Sequence, residues 1–377
     1  MNNNKTLEKY LKKRSFHKLA NPHIKPLKRH YNTFIVIPCY DEYDYIFKTL
    51  DSINNQSLKL LENTLVVVVI NNSDKDSQII KKNNQLTYQS IIKNKYFFEI
   101  IALNSFDKNN AFNNNDAGVG VARKLGLDYC LNFIYDENSL LCSLDADTII
   151  SEKYLSTIID EFKNKTNAAV VNFKHQKSTN SLIQEGIDKY ELILKNIAYE
   201  IYKTGSPYGY VSMGSTVICN VKAYIACGGM PKNKATEDFY FLQSLAKYTK
   251  IKQIKEILVH PSSRSKQRVY LGTGYRMNQY KKGVKFKDLD YSQDSFRSIK
   301  IIIDYAEKYW KESYSKFHKS LKNNLDFRAI NFLILKNIES IWINISENSK
   351  NKKQFMLFFH QWFDGLMIIQ LLKKLNN

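Results

Sequence analysis

The sequence predicts an α/β protein with a mostly parallel central sheet, flanking helices and a helical C-terminal segment. Three observations lead to this class. From about residue 33 to 173, short apolar runs alternate with longer amphipathic segments, which is typical of a doubly wound sheet. The run Leu65–Ile70 is apolar throughout, as strands buried on both faces are. From about Ser295 onward the chain has helical spacing and is rich in Lys and aromatic residues.

The predicted elements follow one another in a regular order. Strands are expected at Thr33–Ile37, Leu65–Ile70, Phe97–Leu103, Leu140–Leu144, Ala168–Phe173 and Ile251–Val259. Helices are expected at Asp44–Asn54, Gly118–Phe133, Glu152–Phe162, Ile183–Tyr202 and Glu237–Tyr248. We place the boundaries so that 1–31 is a basic tail, 32–285 the α/β domain and 286–377 the helical segment.

The 377 residues carry a net charge of +20. Such a charge favours an anionic partner, either a phosphorylated small molecule or an anionic membrane surface. A second explanation competes with this one. Lys supplies 48 of the 56 basic residues, and Asn and Ile are also abundant. All three have AT-rich codons, so genome composition can account for much of the charge.

The sequence indicates a cytoplasmic protein. Its five cysteines include no Cys-x-x-Cys pair, as expected of core residues in a reducing compartment. The N-terminus lacks the apolar stretch of a secretory signal, and no apolar run reaches the roughly 18 residues of a membrane span. We expect a cytoplasmic location, with peripheral contact at the inner face of a membrane as a further option.

The strongest candidate site is Asp145-Ala146-Asp147, which follows the apolar run Leu140–Leu144. Ligands of open α/β sheets bind outside the carboxyl ends of the strands. Two carboxylates at this spacing can hold one divalent cation, and that cation can bridge two phosphates. Such triplets also cap helices in many proteins, so the position after a buried strand is what favours function.

Two further polar turns follow the first two predicted strands. The first is Pro38–Glu42, in which Tyr40 offers an aromatic face for a nucleobase and Glu42 a hydrogen-bond acceptor. The second is Asn71–Asp74. Each is also compatible with a plain strand-to-helix turn. Together with Asp145 they indicate a nucleotide site at one edge of the sheet.

A pair of carboxylates, Glu237-Asp238, opens a predicted helix shortly after Gly228-Gly229-Met230. These carboxylates can simply complement the helix dipole. In the functional interpretation, one of them is a general base that takes the proton from an acceptor hydroxyl.

A basic segment that contains His260, Arg264 and Arg268 leads to Gly272-Thr273-Gly274. Basic residues on a glycine-containing loop suit a lid that closes over a diphosphate. A solvated cationic loop explains the same composition equally well.

These motifs, in this order, resemble those of family 2 glycosyltransferases of the GT-A fold. The resemblance covers roughly residues 33–276, and the segments 117–124 and 237–242 resemble one bacterial branch. It implies a GT-A type, Rossmann-like domain that uses a nucleotide-sugar donor and Mn²⁺ or Mg²⁺. It also implies inversion at the anomeric carbon, a glycan, lipid-linked or other hydroxyl acceptor, and a place in cell-envelope polysaccharide synthesis.

The resemblance also implies roles for the candidate residues. Predicted to bind the nucleotide sugar are Pro38, Tyr40, Glu42, Asn71, Asn72, Arg123, Asp145, Arg264 and Arg268. Predicted metal ligands are Asp145, Asp147 and His260, since a histidine after a strand completes the metal site in some related enzymes. Asp238 is the expected catalytic base, with Glu237 as a second catalytic carboxylate. The pair Asn71-Asn72 replaces an Asp pair frequent in the family, which changes the expected base contacts.

Other functions fit parts of the sequence. A retaining glycosyltransferase would use the same fold. A nucleotidyltransferase would favour a Gly-rich phosphate loop where residues 38–42 stand. A nucleic-acid-binding protein would interleave basic and aromatic residues, as segment 308–328 does, but it leaves the acidic motifs unexplained. We therefore expect no nucleic-acid partner.

The C-terminal helices are aromatic, and Phe355, Phe359 and Phe363 recur near helical spacing. We expect this face to pack on the catalytic domain, as most amphipathic helices cover a core. The alternative is an interfacial helix that contacts an anionic membrane.

Overall fold

The computed structural model describes residues 5–22, 28–115, 117–265 and 272–376, and its centre is an eight-stranded sheet. The strands are β1 Thr33–Cys39, β2 Thr64–Asn71, β3 Glu99–Ser105, β4 Leu140–Ser143, β5 Ile149–Ile150, β6 Ala168–Phe173, β7 Val217–Asn220 and β8 Ile251–His260. Their order across the sheet is β3-β2-β1-β4-β7-β6-β8-β5. The four strands that stand first in this order, β3, β2, β1 and β4, are also the first four strands of the sequence.

Both parallel and antiparallel pairs occur in the sheet. β1 is parallel to β2 and β4, β2 to β3, and β6 to β8. β7 is antiparallel to β4 and β6, and β5 to β8. The predicted α/β class is confirmed, and the sheet is mixed. The two antiparallel strands have only 4 and 2 residues, too few for hydrophobic periodicity to reveal them.

Helices flank the sheet. Those of the first part of the chain are α1 Lys5–Lys13, α2 Tyr43–Asn54, α3 Leu58–Leu61, α4 Gln78–Lys93, α5 Val119–Cys130, α6 Tyr154–Lys163, α7 Ser181–Lys203, α8 Val221–Ala226, α9 Glu237–Tyr248 and α10 Thr273–Lys281. The C-terminal segment is helical, as predicted, and contains α11 Gln293–Lys308, α12 Tyr314–Lys322, α13 Phe327–Leu335, α14 Ile338–Asn348, α15 Lys352–Trp362 and α16 Gly365–Asn376. Residues 5–13, expected within a basic tail, form α1, and its Tyr10 is buried.

The central strand β1 continues past its predicted end at Ile37 to Cys39. Proline has no N–H to donate to a ladder, which is why the strand was expected to stop. The neighbour β4 ends opposite Val36, and the backbone N–H of Leu144 still donates to the Val36 carbonyl. The backbone nitrogen of Pro38, two residues later, points to the same side of β1 as the backbone of Val36. β4 has already ended there, so the missing N–H of Pro38 breaks no hydrogen bond.

The described residues form two compact units. The first contains those of 1–184 and 212–278, and the second those of 185–211 and 279–377. The boundaries at 31/32 and 285/286 remain predictions. In the second unit Phe317 stacks on Trp342 with ring centroids 3.8 Å apart, and Phe355, Phe359 and Phe363 are buried. These aromatic side chains form the core of the helical unit.

Candidate active site

A cavity of about 530 Å³ opens at the carboxyl ends of β1, β2 and β4. Seven residues predicted to bind donor or metal line it: Pro38, Tyr40, Glu42, Asn71, Asp145, Asp147 and Arg264. The carboxyl ends of neighbouring parallel strands meet at one edge of a sheet. The turns after the three strands therefore bring residues from distant parts of the sequence to one place.

Of the described residues, five others with a predicted role lie outside the cavity lining: Asn72, Arg123, Glu237, Asp238 and His260. Arg268 lies outside the described residues. Asn72 is fully buried, and its side chain bonds to Ser73, Phe106 and Asn84. These bonds hold the turn after β2 together, and the nucleotide role of Asn72 stays a prediction.

Seven polar lining residues were not individually predicted to bind donor or metal: Ser73, Asp76, Asn114, Lys234, Ser262, Thr273 and Tyr275. Asp76 accepts hydrogen bonds from Tyr40 Oη at 3.1 Å and from the Ser73 backbone N–H at 2.7 Å. Asp76 stands two residues beyond the motif Asn71–Asp74. Extending the predicted polar turn by two residues would have included it. Lys234 has no comparable local signal.

Arg123 joins the two acidic motifs behind the cavity. It is 3 % exposed, its Nε donates to Glu237 Oε1 at 3.0 Å, and its terminal nitrogens contact Asp145 and Ser143. Burial disfavours the charged guanidinium, but Asp145 and Glu237 reverse this effect and raise the pKa of Arg123. Arg123 reaches the cavity through Asp145, and its predicted place near the base or diphosphate of the donor stays a prediction.

Asp145 is held in its ionised form. Burial alone would raise the pKa of Asp145, yet Arg123, the Ser215 hydroxyl and Arg264 together lower it. Ser215 Oγ donates to Asp145 Oδ2 at 2.5 Å and accepts from the Asp145 backbone N–H at 3.2 Å. The carboxylate is therefore negative and fixed in direction, which suits a ligand for a hard cation.

Glu237 and Asp238 begin α9, and the pKa of each is raised. Burial raises the pKa of Glu237 to about 7, against the opposing effect of Arg123. Burial also raises the pKa of Asp238, again opposed by Arg123. Asp238 Oδ1 accepts a hydrogen bond from the Phe239 backbone N–H at 2.7 Å. Glu237 is engaged in the ion pair with Arg123, so Asp238, whose pKa burial raises, is the better candidate to take up a proton.

Arg264 reaches across the cavity from the basic segment after β8. Its guanidinium donates to Glu42 Oε2 at 2.8 Å and Oε1 at 2.5 Å, and lies 2.8 Å from Asp147 Oδ2. It also lies 4.5 Å from the centre of the Tyr45 ring. Bidentate pairing and stacking both hold a guanidinium firmly. This places a fixed positive charge in the cavity wall beside Asp147.

Within the part of the chain that the structure describes, no group of three His, Cys, Asp or Glu side chains is arranged to hold a metal ion. Asp145 and Asp147 nevertheless line one cavity, and carboxylate oxygens suit Mn²⁺ or Mg²⁺ bound together with phosphates. His260 Nδ1 lies 2.9 Å from the Lys174 carbonyl. A carbonyl only accepts, so Nδ1 carries the proton and Nε2 keeps the lone pair that a metal requires. The metal roles of these three residues stay predictions.

A protein-family model matches part of this chain, and several solved structures are similar to it. The protein-family model that is described as glycosyl transferase family 2 matches residues 34–228, which is more than half of the chain. No curated protein matches at a significant level. The solved structure of S. aureus TarS 1–349 is 13% identical, with a TM-score of 0.41 over 87% of this chain and 90% of that chain. The mannosyltransferase PcManGT from Pyrobaculum calidifontis, in complex with GDP-Man and Mn²⁺, is 11% identical, with a TM-score of 0.40 over 95% and 93%.

The family match includes β1, β2 and β4, whose ends form the cavity, and α5, which carries Arg123. The chain belongs to glycosyl transferase family 2 and is a nucleotide-sugar-dependent glycosyltransferase.

Proposed function

We propose that this enzyme is an inverting, divalent-metal-dependent glycosyltransferase that moves a sugar to a glycan, lipid-linked or other hydroxyl acceptor. One observation supports the proposal above all. The buried Arg123 contacts Asp145 on one side and Glu237 on the other. One guanidinium therefore holds a carboxylate suited to a metal-bound donor and the carboxylate next to the proposed base.

The nucleotide is expected at the β1–β2 side of the cavity. Tyr40 and Asn71 line this side, and Asp76 bonds to Tyr40. Asn71 Oδ1 is buried and makes no hydrogen bond within the described residues. A buried acceptor without a donor costs free energy. An N–H on the edge of a nucleobase would satisfy this oxygen.

The diphosphate is expected near Asp145 and Asp147, which would hold Mn²⁺ or Mg²⁺, with His260 as the predicted third ligand. When bound, such a cation neutralises the charge of the departing nucleoside diphosphate. Arg264 and Lys234 are the cationic side chains in the described lining. Both would attract the anionic donor to this side of the cavity.

The transfer itself needs a base, and we assign that role to Asp238. Its carboxylate takes the proton from the acceptor hydroxyl as the hydroxyl oxygen bonds to the anomeric carbon. The bond between that carbon and the donor phosphate oxygen breaks, and the nucleoside diphosphate leaves with the electron pair. Attack opposite the leaving group inverts the anomeric configuration. Glu237 fixes Arg123 and, through it, Asp145.

The metal role is tested with Asp147→Asn. Purified enzyme is incubated with a panel of nucleotide sugars and Mn²⁺ or Mg²⁺, and release of nucleoside diphosphate is measured. We expect a loss of about 100-fold or more, because charge neutralisation is worth several kcal/mol in such reactions. Asp136→Asn changes an exposed carboxylate outside the cavity and should keep full activity. Full activity of Asp147→Asn would rule out this metal site.

The base assignment is tested by Asp238→Asn, with Glu237→Gln as its neighbour for comparison. We expect Asp238→Asn to keep donor binding in calorimetry and to lose transfer. The anomeric configuration of the wild-type product, read by NMR, tests inversion separately. A product with the configuration of the donor would show that the enzyme is retaining.

A further inference from the structure

Asp128 is a fully buried carboxylate in α5 that has no part in the proposed reaction. Its Oδ1 accepts hydrogen bonds from Tyr10 Oη at 2.7 Å and Tyr224 Oη at 2.8 Å. Its Oδ2 accepts from the Phe16 backbone N–H at 2.8 Å and lies 3.0 Å from Lys124 Nζ. A buried charge is tolerated when it is paired and hydrogen-bonded in this way.

Two of these partners, Tyr10 and Phe16, come from the N-terminal segment Lys5–Leu19, which precedes the family match at 34–228. The ties of this segment to α5 extend beyond Asp128. Lys124 Nζ donates to Tyr10 Oη at 3.0 Å and lies 5.5 Å from the centre of the Phe16 ring. The N-terminal segment is thus fastened to α5 through buried polar groups, whose loss is costly.

The N-terminal segment also lies against the turn Gly228–Gly229. Both glycines have φ of +82°, which favours glycine at each position. A Cβ atom at Gly229 would stand 1.9 Å from Tyr10 Oη, and one at Gly228 would stand 2.3 Å from Arg14 Nη1. The turn can approach the segment this closely because it has no side chains.

Beyond this turn the chain packs on α5 and then reaches the catalytic carboxylates. A Cβ atom at Gly120 would stand 2.3 Å from the Asn233 carbonyl, and one at Gly118 would stand 2.8 Å from Lys234 Cα. Residues 231–235 therefore rest directly on the start of α5. Glu237 follows two residues later, at the first position of α9.

We propose that Tyr10 is a positioning residue of the active site, and that the N-terminal segment is a working part of the catalytic unit. Tyr10 contacts both Asp128 of α5 and the turn at Gly229, so it fixes the distance between α5 and the chain that leads into α9. The inference rests on the proposed roles of Asp145 and Asp238.

The connection to the reaction runs through two adjacent residues of α5. Lys124 bonds to Tyr10 and Asp128, whereas Arg123 bonds to Asp145 and Glu237. A shift of α5 relative to α9 would lengthen the 3.0 Å contact between Arg123 and Glu237. Misplacement of reacting groups by about 1 Å can reduce a rate about 100-fold. The described partners of Tyr10 do not include Tyr40, Asn71 or Asp76 at the nucleotide side of the cavity, so donor binding should be unaffected.

The test is Tyr10→Phe, which keeps the ring and removes only the hydroxyl. We expect kcat to fall about tenfold while the donor KM changes less than about twofold, because positioning and not donor binding is lost. In the ligand-free protein, amide hydrogen exchange of residues 228–240 should become faster. The exchange measurement needs no substrate, so it tests the positioning even if no tested donor is turned over.

The matched control is Tyr31→Phe. Tyr31 is also buried, and its hydroxyl donates a hydrogen bond to the carboxylate of Glu99. It differs from Tyr10 in its place, since it lies at the amino end of β1, whereas the cavity lies at the carboxyl end. This variant should lose thermal stability without a loss of kcat or a change in exchange of residues 228–240. If Tyr10→Phe behaves like Tyr31→Phe in both measurements, the positioning role is wrong. Absence of turnover in the wild type with all donors would instead contradict the proposed function.

Discussion

Burial and Arg123 act in opposite directions on the pKa values of three neighbouring carboxyl groups. For Asp145, burial is outweighed by the guanidinium, the Ser215 hydroxyl and Arg264, and the pKa falls. For Glu237 and Asp238, burial outweighs the guanidinium, and the pKa rises. One cation therefore stands between a carboxylate whose pKa is lowered and two whose pKa is raised. These are the directions that suit a cation ligand and a general base.

The pH dependence of kcat follows from these directions. A general base works only when deprotonated, and the pKa of Asp238 is raised. The rate should therefore fall on acidification, at a pH above the value of about 3.9 that an ordinary Asp would give. Steady-state kinetics from about pH 4 to about pH 9, in single-pH buffers of matched ionic strength (about 0.1 M), would measure this limb.

Glu237→Gln provides the matching control for this profile. It removes the carboxylate that pairs with Arg123, so the guanidinium opposes the effect of burial on the pKa of Asp238 more strongly. The acidic limb should therefore move to lower pH. A rate that is independent of pH across the whole range would contradict the assignment of Asp238 as the base.

At the scale of single elements, the packing of α5 on the sheet decides where Arg123 stands. Gly126 of α5 lies over two strands, because a Cβ atom there would stand 2.4 Å from Val36 Cγ1 and 2.8 Å from Val69 Cγ2. Both valines are completely buried in β1 and β2. The helix can approach the sheet this closely only with a residue that has no side chain at this position.

Gly126→Ala should therefore destabilise the protein even though alanine is the better helix former. Overpacking costs about 1–3 kcal/mol. The gain in helix propensity from Gly to Ala is at most about 1 kcal/mol, so most of the range of the cost exceeds the gain. We expect Tm to fall by about 2–4 °C per kcal/mol lost, as measured by differential scanning calorimetry.

A double-mutant cycle with Val36→Ala isolates this contact. Val36→Ala creates space where the new methyl group would clash, so the double variant should be more stable than the sum of the single changes predicts. Simple additivity of the two changes would show that the alanine is accommodated elsewhere.

At the scale of the whole molecule, a membrane could be contacted either by inserted apolar helices or by the positive charge of the chain. Among the described residues, none of the helices is by itself long and apolar enough to cross a bilayer. The pair α15 and α16 meets the length and composition test together but is bent by 62°. Phe355, Phe359 and Phe363 of this region are buried in the helical unit. Any membrane contact of this face in the observed fold therefore depends on charge more than on insertion of these rings.

The net charge of +20 leads to a simple expectation for membrane binding. The full chain should pellet with vesicles that contain anionic lipid at low salt, and not with zwitterionic vesicles. Binding should be lost at about 0.5 M salt, where screening acts over roughly 4 Å. Co-sedimentation would measure this, and pelleting that resists salt would indicate apolar insertion instead.

Much of the fold was predictable because its strands are long and buried. The run Leu65–Ile70 is apolar throughout, which predicts a strand buried on both faces, and β2 is buried at every position. The short β7, by contrast, has no periodicity of its own and is recognised only by its pairing with β4 and β6. For the same reason the mixed character of the sheet was not apparent.

The sequence by itself determined which polar turns follow which strands, and so seven of the residues that gather at the cavity. Its local patterns carry that information because each turn lies next to the strand that places it. Only the tertiary structure decided the partners across the site. Arg264 meets Glu42 across 222 positions, and Tyr10 meets Asp128 across 118. Such contacts depend on how the elements pack, and hydrophobic periodicity reports burial without naming the side chain on the other side.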